Sequence, residues 1–242
     1  MIVRNDQAGL SYYPFGNGTF YGQSGSGSKI GQGFLFEHYW LADWTGDGSP
    51  ELLVQTEDGQ LLLYPYGRKT FYGQGELKKP GNGWKFTHAF VMDWTGDKVA
   101  DMLIRNHEGE LLLYASENGE FPPIGRKVGV TGELSAAIAG YFTGNGSPDL
   151  LLHNGNGEML LFPFRNGTFA GYGEGIKVGH GFRFEHAFAK DWTGDGITDL
   201  LVDTEEEELL LFPFRNGTFY GNGGGEKLAT DFVSRMPLRR GG

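Results

Sequence analysis

Apolar residues in this chain come in short runs that recur at regular intervals. Runs at 52–54, 102–104, 150–152 and 200–202 are each followed, after a polar turn, by a second run at 61–66, 111–116, 160–164 and 210–214. Runs this short, bounded by Gly, Asp and Asn, predict strands rather than helices, and their continuity predicts burial on both faces. The segment ahead of them alternates. Phe184, His186 and Phe188 share one side, and Glu185, Ala187 and Ala189 share the other, the period of a strand with two unlike faces. A Thr-Phe segment behind an Asn-Gly pair, at 166–169 and 216–219, completes a set of four short strands. Asn-Gly suits a two-residue type I′ turn, which needs positive φ. Pro14, Pro65, Pro163 and Pro213 fall near the end of the third strand, where an edge or bulge tolerates a missing N–H.

The set recurs about every 49 residues. Its anchor is a loop between the alternating strand and the first apolar run, starting at 43, 93, 141 and 191, with spacings of 50, 48 and 50. Approximate units are 1–50, 51–100, 101–148, 149–198 and 199–242. The N-terminal 1–5 matches 102–106, so the chain opens on a second strand; Phe232 and Met236 align with Phe184 and Phe188, so it closes on a first strand. A ring joins these ends without exposed edges. A four-stranded unit of this length is the mark of a propeller blade. The expectation is an all-β, five-bladed β-propeller forming one domain over 1–242. One blade is closed by the N-terminal strands plus the C-terminal strand.

Composition narrows the function. Gly supplies 42 of 242 residues, aromatics 14% and Cys none, which suits an ordered, turn-rich all-β protein and excludes disulfides and thiol catalysis. The net charge of −10 argues against a nucleic-acid partner. No apolar run reaches the ~20 residues of a membrane span, so membrane insertion is not expected. The N-terminus carries no signal-peptide pattern. Nothing brings unlike catalytic groups to one place: no Ser/His/Asp set, phosphate loop or lone acid pair stands out, and an enzyme is not expected.

The anchor loop reads D-x-T-G-D-G-x-x-D. A hard cation wants six to eight oxygens presented by a tight loop. Positions 1, 3, 5 and 9, with a backbone carbonyl at 7, can supply them. These are Asp43, Thr45, Asp47, Ser49 and Glu51; Asp93, Thr95, Asp97, Val99 and Asp101; and Asp191, Thr193, Asp195, Ile197 and Asp199. Gly48 and Gly196 permit the turn, with Lys98 in the second copy. The third copy has Tyr141 and Asn145 at positions 1 and 5 and keeps only Asp149 as an acid, so little metal binding is expected there. The same residues could instead cap backbone N–H groups without metal, as Asx turns do.

The repeat resembles the FG-GAP/VCBS-type propeller repeat, through the loop just quoted. A narrower likeness is to propellers of the Psathyrella velutina lectin type, through GWKFTH at 83–88 ahead of DWTGD at 93–97, FEHAFAKDWTGDG at 184–196, and NGTFYG at 216–221. The first likeness implies a structural calcium ion in the loop. The second implies multivalent binding of glycans, of the N-acetylglucosamine type, in pockets between blades. Candidate ligand residues are then His38, His88 and His186, five positions before the loop, together with Trp84 and the loop aromatics Trp44, Trp94 and Trp192. Each has a plain alternative: the His bracing a neighbouring loop, the Trp packing between units. The alternative function is a non-catalytic protein-interaction or scaffold propeller that binds no sugar.

Overall fold

A computed structural model describes residues 2–4, 9–12, 15–16, 19–20, 28–32, 36–67, 70–71, 83–130, 136–169, 175–184, 186–220 and 224–229. Every regular element among them is a strand. The chain clusters into two compact units. One comprises Met1–Val91, Asp97–His107 and Leu113–Arg126; the other comprises Met92–Gly96, Glu108–Leu112 and Lys127–Gly242.

In the first unit, β1 (Ile2–Arg4), β2 (Gly9–Tyr12) and β3 (Ser28–Gln32) form an antiparallel sheet in that order. Next come β4 (His38–Ala42), β5 (Glu51–Gln55) and β6 (Leu61–Tyr64), again in chain order. A four-stranded sheet of β7 (His88–Met92), β8 (Asp101–Arg105), β9 (Glu110–Tyr114) and β10 (Arg126–Val130) supplies residues to both units. The second unit holds two more meanders. One is β11 (Ala136–Gly140), β12 (Asp149–His153), β13 (Met159–Arg165) and β14 (Ile176–Gly179). The other is β15 (His186–Lys190), β16 (Asp199–Asp203), β17 (Leu209–Phe212) and β18 (Glu226–Ala229). Within that unit the inner strands β11 and β15 lie side by side.

Four sheets therefore begin with an alternating strand, which gives four blades where the sequence count gives five. The sheet β1–β2–β3 has the order of second, third and fourth strands. The segment expected to complete it, 230–242, lies outside the described residues.

The second strands are buried as their apolar runs predict, β5 along its whole length and β8 and β12 up to the last residue. The third strands differ from expectation. β6, β9 and β17 alternate buried and half-buried positions, so one face stays closer to solvent. The Thr-Phe segments are also not the fourth strands. Thr168–Phe169 folds straight back on the end of β13, pairing Phe164 with Phe169 and Arg165 with Thr168, and Thr218–Phe219 pairs with Phe214–Arg215 alike. The Asn-Gly turns close these small hairpins with φ of 51° and 79° at Asn166 and Gly167. The hydroxyls of Thr168 and Thr218 donate to the carbonyls of Val128 and Val178, 40 residues upstream, at 2.9 and 2.8 Å. The true fourth strands, β10, β14 and β18, come several residues later. Each hairpin thus plugs the preceding repeat: Phe219 enters the core with Leu151, Val178, Leu200 and Phe212, and buried Phe169 packs against Trp94 and Phe164.

A second tie joins successive repeats. Ahead of β7, the amide of Trp84 donates to the carbonyl of Gly59 at 3.1 Å, and Gln55 Nε2 donates to the carbonyl of Trp84 at 2.9 Å. Ahead of β15, Phe182 donates to Gly157 at 3.1 Å, and His153 Nε2 donates to the Phe182 carbonyl at 3.2 Å. Gly59 and Gly157 sit at φ of +79° and +76°, and a Cβ on either would lie 3.0 Å from the carbonyl oxygen of Trp84 or Phe182. Gly59→Ala and Gly157→Ala should therefore each cost roughly 2–3 kcal/mol, combining left-handed strain with a backbone clash. Gly146→Ala, at φ +83° with open space around its Cβ, should cost only about 1 kcal/mol. Thermal unfolding of the three variants checks this, and equal losses at all three would refute the docking role.

Candidate functional site

The acidic loops carry a dense hydrogen-bond network. Asp43 accepts the amides of Gly46 and Gly48 at 2.7 and 2.9 Å, and Asp191 accepts those of Gly194, Asp195 and Gly196 at 2.6, 3.1 and 2.9 Å. Asp93 accepts Gly96 at 2.6 Å. The position-5 side chain accepts the amide two residues on: Asp47 from Ser49, Asp97 from Val99, Asn145 from Ser147 and Asp195 from Ile197, all at 2.7–2.9 Å. These are Asx turns, and they form in the third loop, with Asn145, as well as in the others. Lys98 takes the left-handed conformation, φ 72°, that Gly48 and Gly196 hold in their loops.

The position-9 acids occupy a different place. Glu51, Asp101, Asp149 and Asp199 open the second strands and are buried. Glu51 accepts from the Trp44 amide at 2.9 Å and the Thr45 hydroxyl at 3.1 Å. Asp149 accepts from the Thr143 amide and hydroxyl, and Asp199 from the amides of Trp192, Thr193 and Phe214. Asp101 accepts from the Ser116 amide at 3.0 Å. Burial pushes Asp149 above the ordinary carboxylate value. Burial likewise pushes Glu51 up; the Trp44 amide and Thr45 hydroxyl oppose this, and the charges of Asp47 and Asp43 add to it. Exposed Asp191 moves down instead, chiefly because the Gly196 amide binds its charged form.

Carboxylate oxygens of Asp43, Asp47 and Glu51 lie within 4.8 Å of one another, and so do those of Asp93, Asp97 and Asp101. In the fourth loop Asp195 faces Arg215, with Oδ2 3.8 Å from Nε.

The aromatic candidates separate by burial. Trp44 and Trp94 are buried. The Trp94 ring packs edge-on against Phe164 and Phe169, as Phe142 does against Phe214 and Phe219. Trp44 packs on Phe121, and its Nε1 has no acceptor among the described residues. These rings plug the small hairpin of the next repeat, which favours the packing reading for both. Trp192 differs: it is 44% exposed, with Lys190 Nζ 5.6 Å from its ring centre.

His38 and Trp84 come together. With Gln55, Glu57, Asp58 and His107 they line a cleft of about 440 Å³ in the first unit. His38 pairs across the ladder with Gln55 and stacks near Trp40 and Phe86, at ring distances of 6.0 and 5.7 Å. Trp84 packs against Tyr114 at 4.3 Å. Asp58, exposed in the turn after β5, is kept low by hydrogen bonds from Thr56 and Gln60. Sequence reading missed Gln55, Glu57, Asp58 and His107. The only available signal was that the turn after each second strand, at 55–60 and 105–110, is polar and acidic.

The other two His lie elsewhere. His88 contacts Thr87 Oγ1 at 3.1 Å, and burial, with the nearby Arg105 charge, holds it below its ordinary value. His186 Nδ1 lies 3.0 Å from Oδ2 of buried Asp203.

Residues 43–104 match the family model described as the FG-GAP-like repeat. No curated protein matches this chain. Among solved structures, an Agrocybe aegerita lectin described as recognising non-reducing terminal N-acetylglucosamine aligns over 93% of this chain at 22% identity, with a TM-score of 0.61. The aligned part is 60% of that lectin, so the chain spans well under two thirds of its length. Two structures of BBS1N in complex with ARL6DN align over 79% of this chain at 12% identity, covering 54% and 57% of theirs, with TM-scores of 0.46 and 0.44. The lectin likeness establishes the fold as a β-propeller.

The raised carboxyl of Glu51 has a pH signature. The folded protein holds that proton more tightly than the unfolded chain does, so ionising it costs stability as pH rises from its ordinary 4.5 through the raised value. In metal-free buffer with EDTA, Glu51→Gln should remove that part of the decline. Melting-temperature profiles of parent and variant that run parallel over this window would refute it.

Proposed function

We propose that this chain is a non-catalytic, multivalent carbohydrate-binding propeller that takes N-acetylglucosamine-type sugars in clefts between successive blades. The observation that carries the reading is the cleft in which His38 and Trp84 meet Gln55 and Asp58. An indole face, an imidazole, a buried amide and an exposed carboxylate are the groups that grip a sugar's apolar face and hydroxyls. The fold it shares with an N-acetylglucosamine-recognising lectin supports the same reading. His88 and His186 have other partners, so working sites are fewer than blades. Individual sites of about millimolar affinity become useful when several engage one glycan surface. The reading takes 1–242 as a single propeller domain.

The loops at 43–51 and 93–101 are read as structural calcium sites. Their gathered carboxylates fit a hard cation, and a divalent charge would offset both the burial that chiefly pushes Glu51 up and the smaller push from Asp47 and Asp43. Thr45, Ser49, Thr95 and the carbonyl of Val99 are the further oxygen donors in reach of the sequence pattern. Bound calcium would supply charge neutralisation and loop rigidity.

Two experiments test these readings. Isothermal titration with N-acetylglucosamine should give about millimolar binding, weakened about tenfold by His38→Ala or Asp58→Ala; no heat up to tens of millimolar would reject the sugar reading. Calcium should raise the melting temperature and EDTA should lower it, with Asp47→Asn and Asp97→Asn together abolishing the response. An unresponsive parent protein would leave the loops as metal-free caps.

A further inference from the structure

The second unit contains a separate cleft, of about 610 Å³, between the sheets β11–β14 and β15–β18. Its floor is hydrocarbon: Phe142, Leu161, Val178 and Phe214 are buried side chains, and Ile197 packs against the same core. Ile176, at the start of β14, lines it while 57% exposed. Two exposed arginines, Arg165 and Arg215, also line it, together with Asp195 and Asn216.

This arrangement breaks the repeat. The residue that pairs with the Thr of each small hairpin is Gly16, Gly67, Arg165 or Arg215, and Glu117 takes the corresponding place in the remaining unit. Only the last two units carry Arg there, in a chain whose net charge is −10. The first residue of the fourth strand is Arg126 in β10 and Glu226 in β18, but Ile176 in β14. Position 7 of the loop is Ser49 and Ser147 in two copies and apolar in the other two, Val99 and Ile197. In this cleft, then, an apolar position 7 and an apolar start to the fourth strand meet at the floor, and positions that are neutral or acidic in the other units are cationic at the rim.

The positive charge is not used up internally. Arg215 reaches Asp195 only at 3.8 Å and at an exposed place, which is worth little. Arg165 has no ion pair among the described residues. A guanidinium fork matches a carboxylate's two oxygens, and the floor offers hydrocarbon contact but few partners for hydroxyl groups. The geometry points to a binding site for a small organic carboxylate with an apolar body, such as an aryl-acetic acid: carboxylate to Arg165 and Arg215, ring over Phe142, Leu161 and Ile197. It is independent of the sugar cleft and of the loops at 43–51 and 93–101.

Phenylacetate and its uncharged isostere phenylacetamide test it by NMR titration of the intact chain. Phenylacetate should bind, and phenylacetamide should bind at least about tenfold more weakly. In the double variant Arg165→Gln/Arg215→Gln the acid should fall to the level of the amide, while the melting temperature stays within a few degrees, as expected for surface changes. Asp195→Asn should tighten the acid by removing a competing charge. Should the double variant unfold, Arg165→Gln alone, at a side chain without an ion pair, gives the same reading. Equal binding of acid and amide, no binding of the acid up to tens of millimolar, or acid binding untouched by the arginine changes would overturn the assignment.

Discussion

A carboxylate buried at the first residue of β5, β8, β12 and β16 is the constraint on which those four blades depend. Taking a charge out of water costs several kcal/mol unless hydrogen bonds replace the lost solvent. Here the replacements come from the chain's own turns. Asp199 collects the amides of Trp192 and Thr193 from the loop before it and of Phe214 from beyond the end of β17. One side chain thus fixes where the first strand ends, where the second begins and how the third leaves the sheet. Proline suits that exit: Pro163 sits opposite Asp149, has no N–H to offer the ladder, and leaves the amide of Phe164 to the carboxylate. Glu51 does the same work with one more methylene, satisfied by Trp44 and Thr45.

The same anchor divides the loop chemically. Position 9 is committed inward, whereas positions 1 and 5 stay near solvent and close Asx turns with or without a cation. Capping the loop's amides and gathering its carboxylates are therefore compatible. The turns preform the carboxylate cluster in the first two copies. In the fourth, Arg215 stands where a cation would compete for Asp195. Once the loop is anchored, its position-2 ring is fixed too, and Trp44, Trp94 and Phe142 turn inward onto the next hairpin. Trp192 escapes and lies exposed under Lys190.

What could be read from the sequence follows from which features are local. Four blade-forming sheets, their second strands and the left-handed Asn-Gly turns were all legible, because period, apolar runs and turn chemistry act within a few residues. The Thr-Phe segment misled because its β-rich pair looks like a strand, yet its partner is the end of the strand just before it and its hydroxyl is spent on a carbonyl 40 residues away. The true fourth strands, such as Ile176–Gly179, are short and half polar, with no run to mark them. Burial of Trp44 and Trp94 follows the alternative of packing between units, whereas nothing in the sequence marked Trp192 as the exposed one, since an indole beside a turn looks the same whether it faces water or the neighbouring repeat.

The sites resist reading from repeats for a deeper reason. Clefts form where one repeat meets the next, so each is lined by positions about 30 to 50 residues apart, and a single changed residue alters one cleft alone. The last residue of the second strand shows this. It is Gln55, Arg105, His153 and Asp203 in successive sheets. Gln55 and His153 both reach the carbonyl of the incoming segment, while Asp203 instead captures His186. The backbone tie forms alike with Gln55 and with His153, its bond running from the Trp84 or Phe182 amide to the Gly59 or Gly157 carbonyl. Side chains at this position therefore differ from sheet to sheet, and the symmetry that builds the scaffold carries no obligation for its clefts to bind alike.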